Sequence, residues 1–226
     1  MYEDLRWFGF KWSEGPDVGG PCAPYLQSER MEIYHAAFET LRESGQIYPC
    51  TCSRQDVLRA LSAPHAGDDE PIYPGTCRHR TGAATCTPRA GVSWRFRVPN
   101  GRNIHWSDQH LGPQSSIAAE HFGDFLVWRK DDLPSYQLAV TVDDAAMGIT
   151  EVVRGADLIT STARQLLLYE SFGTVPPRFY HCSLVTNEHG VRLAKRDGAT
   201  SLRVLREEGR SPDELRESIH PPLALG

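Results

Sequence analysis

The sequence predicts an α/β fold, with a parallel sheet in its second half and a smaller inserted or separate lobe ahead of it. Three observations predict this. Strand-like and helix-like segments alternate from residue 125 to 185, the pattern of strands joined through crossover helices. Residues 92–98, VSWRFRV, alternate apolar and polar and lie outside that repeat. Three cysteines, Cys50, Cys52 and Cys77, gather near the start of the same outlying region.

Each element has a local reason. SERMEIYHAAFETLRESG, residues 28–45, reads as a helix with Ser28 as N-cap, Tyr34, Ala37, Phe38 and Leu41 as the apolar stripe, and Gly45 past its end. Ser53 and Asp56 form a capping-box pattern that starts a second short helix, running to about Leu61. In VSWRFRV, Val92, Trp94, Phe96 and Val98 share one face. PNGR then supplies a turn at Asn100-Gly101, and NIHW is expected to return as its hairpin partner. That pairing puts Arg95 and Arg97 together on an open face. Further on, Phe125–Trp128 is a short buried strand, Ser135 to about Met147 a helix, and Ile149–Val153 a strand. Ser161 or Thr162 caps another helix that Gly173 closes, and FYHCSLV is a final strand.

The composition narrows the function. With 226 residues, 40% hydrophobic and 23% charged, the chain can bury a sizeable core. A net charge of −5 makes any nucleic-acid surface a local patch and not a global excess of cations. Two such patches exist. Residues 78–102 hold Arg78, Arg80, Arg89, Arg95, Arg97 and Arg102 without an acid, and residues 192–210 hold six Arg or Lys against three acids. Either is otherwise a solvated face. No run of 18 apolar residues is present, and MYEDLRWFGFKWSEGP has acids and tryptophans where a signal peptide needs an apolar stretch. A cytoplasmic protein without a membrane partner is expected.

In a reducing compartment, clustered thiols point to a metal. Cys50 and Cys52 are one residue apart, and Cys77 follows 25 residues later. Three thiolates and one more donor satisfy tetrahedral zinc. The fourth donor is open: His79 is the commoner chemical type, Tyr73 a rarer phenolate, and Cys86 and His65 are weaker candidates. Such a site is closed and structural. Unrelated thiols are the plain alternative, and Cys22 and Cys182 are read as buried packing residues. A separate segment, GVRLAKRDGATSL, places Arg192, Lys195 and Arg196 between two glycines. It is either a solvated turn or a cradle for a phosphate chain.

DLRWFGFKWSEGP, PYLQSERMEIYHAAFETL, CTC with YPGTC, PSYQLAVTVDDAAMGITEVVRGADLITSTARQLLLY and RLAKRDGATSL, in that order, resemble the catalytic core of the glutamyl-tRNA synthetases. The resemblance covers nearly the whole chain. It implies a Rossmann-like class I synthetase core with an inserted zinc-containing lobe. Residues 1–45 would be the rest of the first half of the core, 46–120 the inserted lobe, 121–185 the second half, and 186–226 the KMSKS-like loop and a helical tail. Such an enzyme activates L-glutamate with ATP and Mg2+, releases pyrophosphate, and passes the glutamyl group to a tRNA. In a short branch of the family the acceptor is the cyclopentenediol of queuosine in the anticodon loop of tRNA(Asp). The short C-terminal remainder after Leu202 favours that branch, acting as a monomer.

By the same resemblance, RLAKR matches the KMSKS loop. Lys195 would be the catalytic phosphate contact, with Arg192 and Arg196 beside it on ATP. Arg192 stands for the first lysine of the motif and keeps its charge; Ala194 stands for the serine and loses a hydroxyl. Tyr136 and Arg154 match the glutamate-binding positions, Arg154 being suited to a two-pronged contact with a carboxylate. A packing tyrosine and a surface ion-paired arginine are the plainer readings of the same residues. Cys50, Cys52, Tyr73 and Cys77 match the zinc ligands. Asp143 and Asp144 point apart on a helix and are read as structural acids. The resemblance begins past the family's first strand and its HIGH-type motif, which implies an N-terminally incomplete core lacking part of the nucleotide site and one early strand. Two other readings remain. The first is a core fragment of an ordinary glutamyl-tRNA synthetase, which a downstream helical domain would favour. The other is an inactive pseudo-synthetase that binds zinc and RNA, which glutamate-dependent pyrophosphate exchange would exclude.

Overall fold

The computed structural model describes residues 1–53, 55–57, 72–79, 89–184 and 201–219. In chain order the elements are α1 (Tyr2–Trp7), α2 (Met31–Glu43), β1 (Ile47–Cys50), β2 (Ser93–Phe96), β3 (Asn103–Asp108), β4 (Gly112–Ile117), β5 (Leu126–Trp128), α3 (Tyr136–Ala146), β6 (Glu151–Gly155), α4 (Ile159–Phe172), β7 (Arg178–Cys182), α5 (Leu202–Glu207) and α6 (Pro212–Ile219). They fall into two compact units, Leu26–Cys182 and Met1–Tyr25 with Ser183–Gly226.

The larger unit carries both sheets. One is three-stranded and antiparallel, with β2 between β1 and β5. The other runs β4-β3-β7-β6, antiparallel between β3 and β4 but parallel between β3 and β7 and between β7 and β6. Helix α4 connects β6 to β7, so these three elements form the parallel crossover unit that the sequence pattern requires. The apolar stripe of α2, Tyr34, Phe38 and Leu41, is fully buried in one core with Trp94, Trp128, Leu138 and Leu168. Phe38 meets Trp94 edge-on with ring centroids 5.1 Å apart, the arrangement the aromatic quadrupole favours. Burying Phe38 and Leu41 contributes roughly 1.5–3 kcal/mol each.

Several local expectations are corrected. Helix α2 starts at Met31 with Arg30 at its N-cap, because residues 27–29 form a separate 3-10 turn. The Asn100-Gly101 turn exists, with Gly101 at φ +71°, but it does not make a hairpin of β2 and β3. Both edges of β2 are already taken by β1 and β5, so the chain leaves for the second sheet and β3 pairs with β4. The strand at 126–128 therefore belongs to the antiparallel sheet and not to the parallel one. Nor are Arg95 and Arg97 on an open face. The Arg95 guanidinium lies 3.9 Å from the centre of the Tyr73 ring, and that of Arg97 lies 4.5 Å from Tyr48. Helix α4 begins at Ile159, which leaves Ser161 and Thr162 inside its first turn, buried, instead of at its cap. Cys22 and Cys182 are half-buried.

Other expectations match. Trp94, Phe96 and Val98 share a buried face, Ser135 caps α3 by accepting from the Leu138 N–H, and Gly173 closes α4 in the left-handed region at φ +63°. Ser53 and Asp56 make the reciprocal capping contacts, at 2.8 and 3.2 Å; the rest of that short helix lies outside the described residues. In the smaller unit, α1 and α5 are joined through Arg206, which meets Glu3 at 2.7 Å and Asp4 at 3.1 Å. Asp17 takes hydrogen bonds from Arg6 at 2.7 Å and from the Trp12 indole at 2.9 Å, which folds the WFGFKWSEGP segment back on itself.

Candidate substrate-binding site and metal centre

Arg154 lies on β6 directly opposite His181 on β7 in the parallel register. Strand alternation turns Val153 outward, 61% exposed, and Arg154 inward. The next element supplies its partners. Thr162 and Gln165 stand three residues apart near the start of α4, on one face. Arg154 Nε donates to His181 Nε2 at 3.1 Å, Nη1 to Gln165 Oε1 at 2.9 Å, and Nη2 to Thr162 Oγ1 at 2.7 Å. Gln165 in turn donates to Gln137 at 3.0 Å, and Gln137 to Ser161 at 3.0 Å. A guanidinium has five N–H groups; three of them meet His181, Gln165 and Thr162, and the Tyr136 hydroxyl is a further hydrogen-bond partner.

Behind Arg154 the network continues into the core. His181 Nδ1 lies 2.5 Å from Asp108 Oδ2, and both side chains are fully buried. Asp108 Oδ1 accepts the backbone N–H groups of His110 at 3.0 Å, Leu111 at 2.9 Å and His181 at 3.3 Å. Burial alone would push the Asp108 carboxyl up. The His181 hydrogen bond and the backbone donors outweigh it and hold the group at about 2. A carboxylate on one side and an arginine N–H on the other fix the histidine tautomer: the proton sits on Nδ1, and Nε2 accepts.

Tyr136 is the first residue of α3, just past the Ser135 cap, and is 49% exposed. Burial lowers the pKa of the Arg154 guanidinium; the Tyr136 hydroxyl, Asp144 and Tyr169 oppose this and favour the charged form. Tyr136 and Arg154, named together from the sequence, are thus brought together in space. Asp144 and Tyr169 join them, the Tyr169 hydroxyl donating to Asp144 at 3.4 Å. Burial raises the Asp144 carboxyl pKa, and Arg154 acts against that rise. Asp143 points the other way, accepting from Arg30 at 2.7 Å, Tyr34 at 2.8 Å and Gln27 at 3.1 Å. The two acids diverge as adjacent helical residues must. Arg192, Lys195 and Arg196 lie outside the described residues.

The thiols converge from two chain segments. Cys50 ends β1, Cys52 follows it, and Cys77 sits in a turn after Tyr73. The three sulfurs lie within 4.8 Å of one another. Cys52 and Cys77 are 3.6 Å apart, and the Tyr73 oxygen is 3.4 Å from Cys50 and 3.5 Å from Cys52. Ideal tetrahedral zinc separates two sulfurs by about 3.8 Å and a sulfur from an oxygen by about 3.5 Å, close to the Cys52–Cys77, Tyr73–Cys50 and Tyr73–Cys52 separations, so the cluster could hold a metal ion. His79 is exposed and outside this cluster; His65 and Cys86 lie outside the described residues. Burial pushes the Cys77 thiol up, but hydrogen bonds from Tyr73, the Thr51 backbone and the other thiols bring it down to about 6, whereas burial and the neighbouring thiols push the Tyr73 phenol up, away from the phenolate. Arg95 donates to Cys50 Sγ at 3.4 Å while stacking on Tyr73. It braces the donor set from behind, a role its strand alternation does not reveal.

Comparison with known proteins agrees with this architecture. Residues 1–220 match the family model for class I tRNA synthetases (E and Q), catalytic domain. The chain is 48% identical over 216 residues to a glutamyl-Q tRNA(Asp) synthetase of Symbiobacterium thermophilum, covering 94% of this chain and 66% of the relative. It is 40% identical over 215 residues to glutamate–tRNA ligase 1 of Halorhodospira halophila, covering 94% of this chain and 45% of that one. A solved glutamate-tRNA synthetase from Elizabethkingia anophelis superposes with a TM-score of 0.72 at 31% identity, covering 87% of this chain and 42% of that one. The chain therefore spans less than two-thirds of the length of these relatives. Its fold, with mixed sheets and the β6–α4–β7 crossover, is that of their catalytic core. The chain belongs to the class I tRNA synthetases of the E and Q type.

Proposed function

We propose that this protein activates L-glutamate with ATP and transfers the glutamyl group to queuosine in the anticodon loop of tRNA(Asp). One observation carries the proposal: a guanidinium oriented by hydrogen bonds to His181, Gln165 and Thr162 stands beside the hydroxyl of Tyr136, a residue that is 49% exposed. That is a receptor for a carboxylate. Arg154 grips one carboxylate of glutamate, and Tyr136 supplies a hydroxyl and a ring wall. The α-carboxylate attacks the α phosphorus of ATP, giving glutamyl-adenylate and pyrophosphate. Lys195, with Arg192 and Arg196, offsets the charge that develops on the departing pyrophosphate, and Mg2+ accompanies the ATP. A hydroxyl of the queuosine ring then attacks the acyl carbon, its proton is lost, and AMP departs.

Cys50, Cys52, Tyr73 and Cys77 hold a structural zinc ion that fastens the end of β1 to the turn around Cys77. The protein works as a cytoplasmic monomer. The relatives named for glutamyl-Q tRNA(Asp) at 48% and 44% identity, above the glutamate–tRNA ligases at 40% and below, support this acceptor over the ordinary one. Transfer of labelled glutamate separates the two. Label should enter queuosine-containing tRNA(Asp) and not tRNA(Asp) carrying guanosine at that position. Label on tRNA(Glu) instead would assign the protein to the ordinary ligases.

A further inference from the structure

Arg154 is half-buried, and its orientation depends on a residue that never faces solvent. His181 is fully buried and can accept from Arg154 Nε only while its own proton stays on Nδ1. Asp108 keeps it there. Its Oδ1 accepts from three backbone N–H groups, which hold Oδ2 towards His181. Thr162 Oγ1 lies 3.2 Å from the same His181 nitrogen while accepting from Arg154 Nη2, which closes a ring of contacts around one edge of the guanidinium.

We propose that Asp108 and His181 are positioning residues: through the histidine tautomer they fix the plane of the Arg154 guanidinium, and so set how tightly an acidic amino acid is held. The inference rests on the reading of Arg154 as the carboxylate receptor. An acid-stable anion in the core, separated from the receptor strand by β7, has no need to touch substrate. It acts by keeping one lone pair available. The other charged and titratable groups around His181 fit this role. His110 meets the His181 backbone carbonyl at 2.7 Å through Nδ1, and Asp144 and Tyr169 act on Arg154 from α3 and α4.

Asp108→Asn isolates the effect. The three backbone donors retain the amide oxygen, so the NH2 group must face His181 Nδ1. That forces the proton to Nε2, where it opposes the Arg154 Nε–H instead of accepting it, as the wrong tautomer does in hydrolase triads carrying the same change. The test uses the whole protein and two kinds of readout. By 15N NMR the His181 proton should move from Nδ1 to Nε2, and the Arg154 Nε–H should lose protection from solvent exchange. In ATP–pyrophosphate exchange the KM for glutamate should rise roughly ten- to hundredfold, the range set by losing a hydrogen bond to a charged group, with the KM for ATP unchanged. His181→Gln, which keeps an acceptor near the Nε2 position, should recover part of the glutamate affinity that His181→Leu loses, and it serves if Asp108→Asn does not fold. A switched tautomer with an unchanged Arg154 signal and unchanged glutamate KM overturns the inference, as does equal loss in His181→Gln and His181→Leu. If Arg154→Leu itself leaves the glutamate KM unchanged, the receptor reading fails instead, while the Arg154 exchange signal still decides whether Asp108 and His181 position it.

Discussion

Arg154 is the residue on which sequence and structure meet. Its proposed role as a carboxylate receptor follows from the resemblance that the VVRG stretch helps to carry, but the side chains that support it were not legible. Asp108, His181, Thr162, Gln165 and Gln137 come from four elements spread over more than 70 positions, and only the parallel register of β6 and β7 brings them together. The one local hint is polar residues at buried strand positions, the histidine of FYHC and the aspartate ending NIHWSD. Asp108 also makes a prediction about acid stability. Its folded pKa of about 2 lies below the ordinary value of 3.8. The stabilisation is therefore complete above pH 3.8 and is lost as pH falls through 3.8 towards 2. The difference is worth about 2 kcal/mol. In urea unfolding at stepped pH, Asp108→Asn should lack this part of the decline; parallel curves for the two proteins would contradict it.

At the scale of elements, the donor set of the thiol lobe gives the sharpest expectation. Cys50→Ser should lose bound zinc, Tyr73→Phe should weaken its retention against a chelator, and His79→Ala should leave it at the level of the unaltered protein. Elemental analysis after dialysis reads all three, and loss on His79→Ala would contradict the assignment of Tyr73. From the residues alone Tyr73 and His79 remained open, because spacing does not say which side chain turns inward. Helices α2, α3 and α4 were readable from apolar stripes and glycine ends, since those signals are local. Pairing of strands was not. VSWRFRV and NIHW carry a turn between them, yet β1 and β5 already occupy both edges of β2, a competition between segments far apart in the chain. The same competition explains Arg95. Alternation places it opposite Trp94 and Phe96, but the facing surface is the tyrosine and thiol layer and not water.

For the whole molecule, the order of motifs along the chain revealed the class I core that comparison shows, whereas the composition, with its modest negative charge, confined any nucleic-acid surface to local cationic patches. The proposed recognition of tRNA would rest on local surfaces, because a net charge of −5 repels polyanions overall. The fold itself serves the proposed chemistry by placing the β6–α4–β7 crossover unit around Arg154, the proposed receptor for an acidic substrate. The most direct measurement is glutamate-dependent ATP–pyrophosphate exchange by the protein and by its Arg154→Leu variant. The account predicts exchange with glutamate but not glutamine, and a loss of at least a hundredfold in kcat/KM for glutamate on substitution, as expected when a charged contact to a carboxylate is removed. Exchange at an undiminished rate by Arg154→Leu would contradict it.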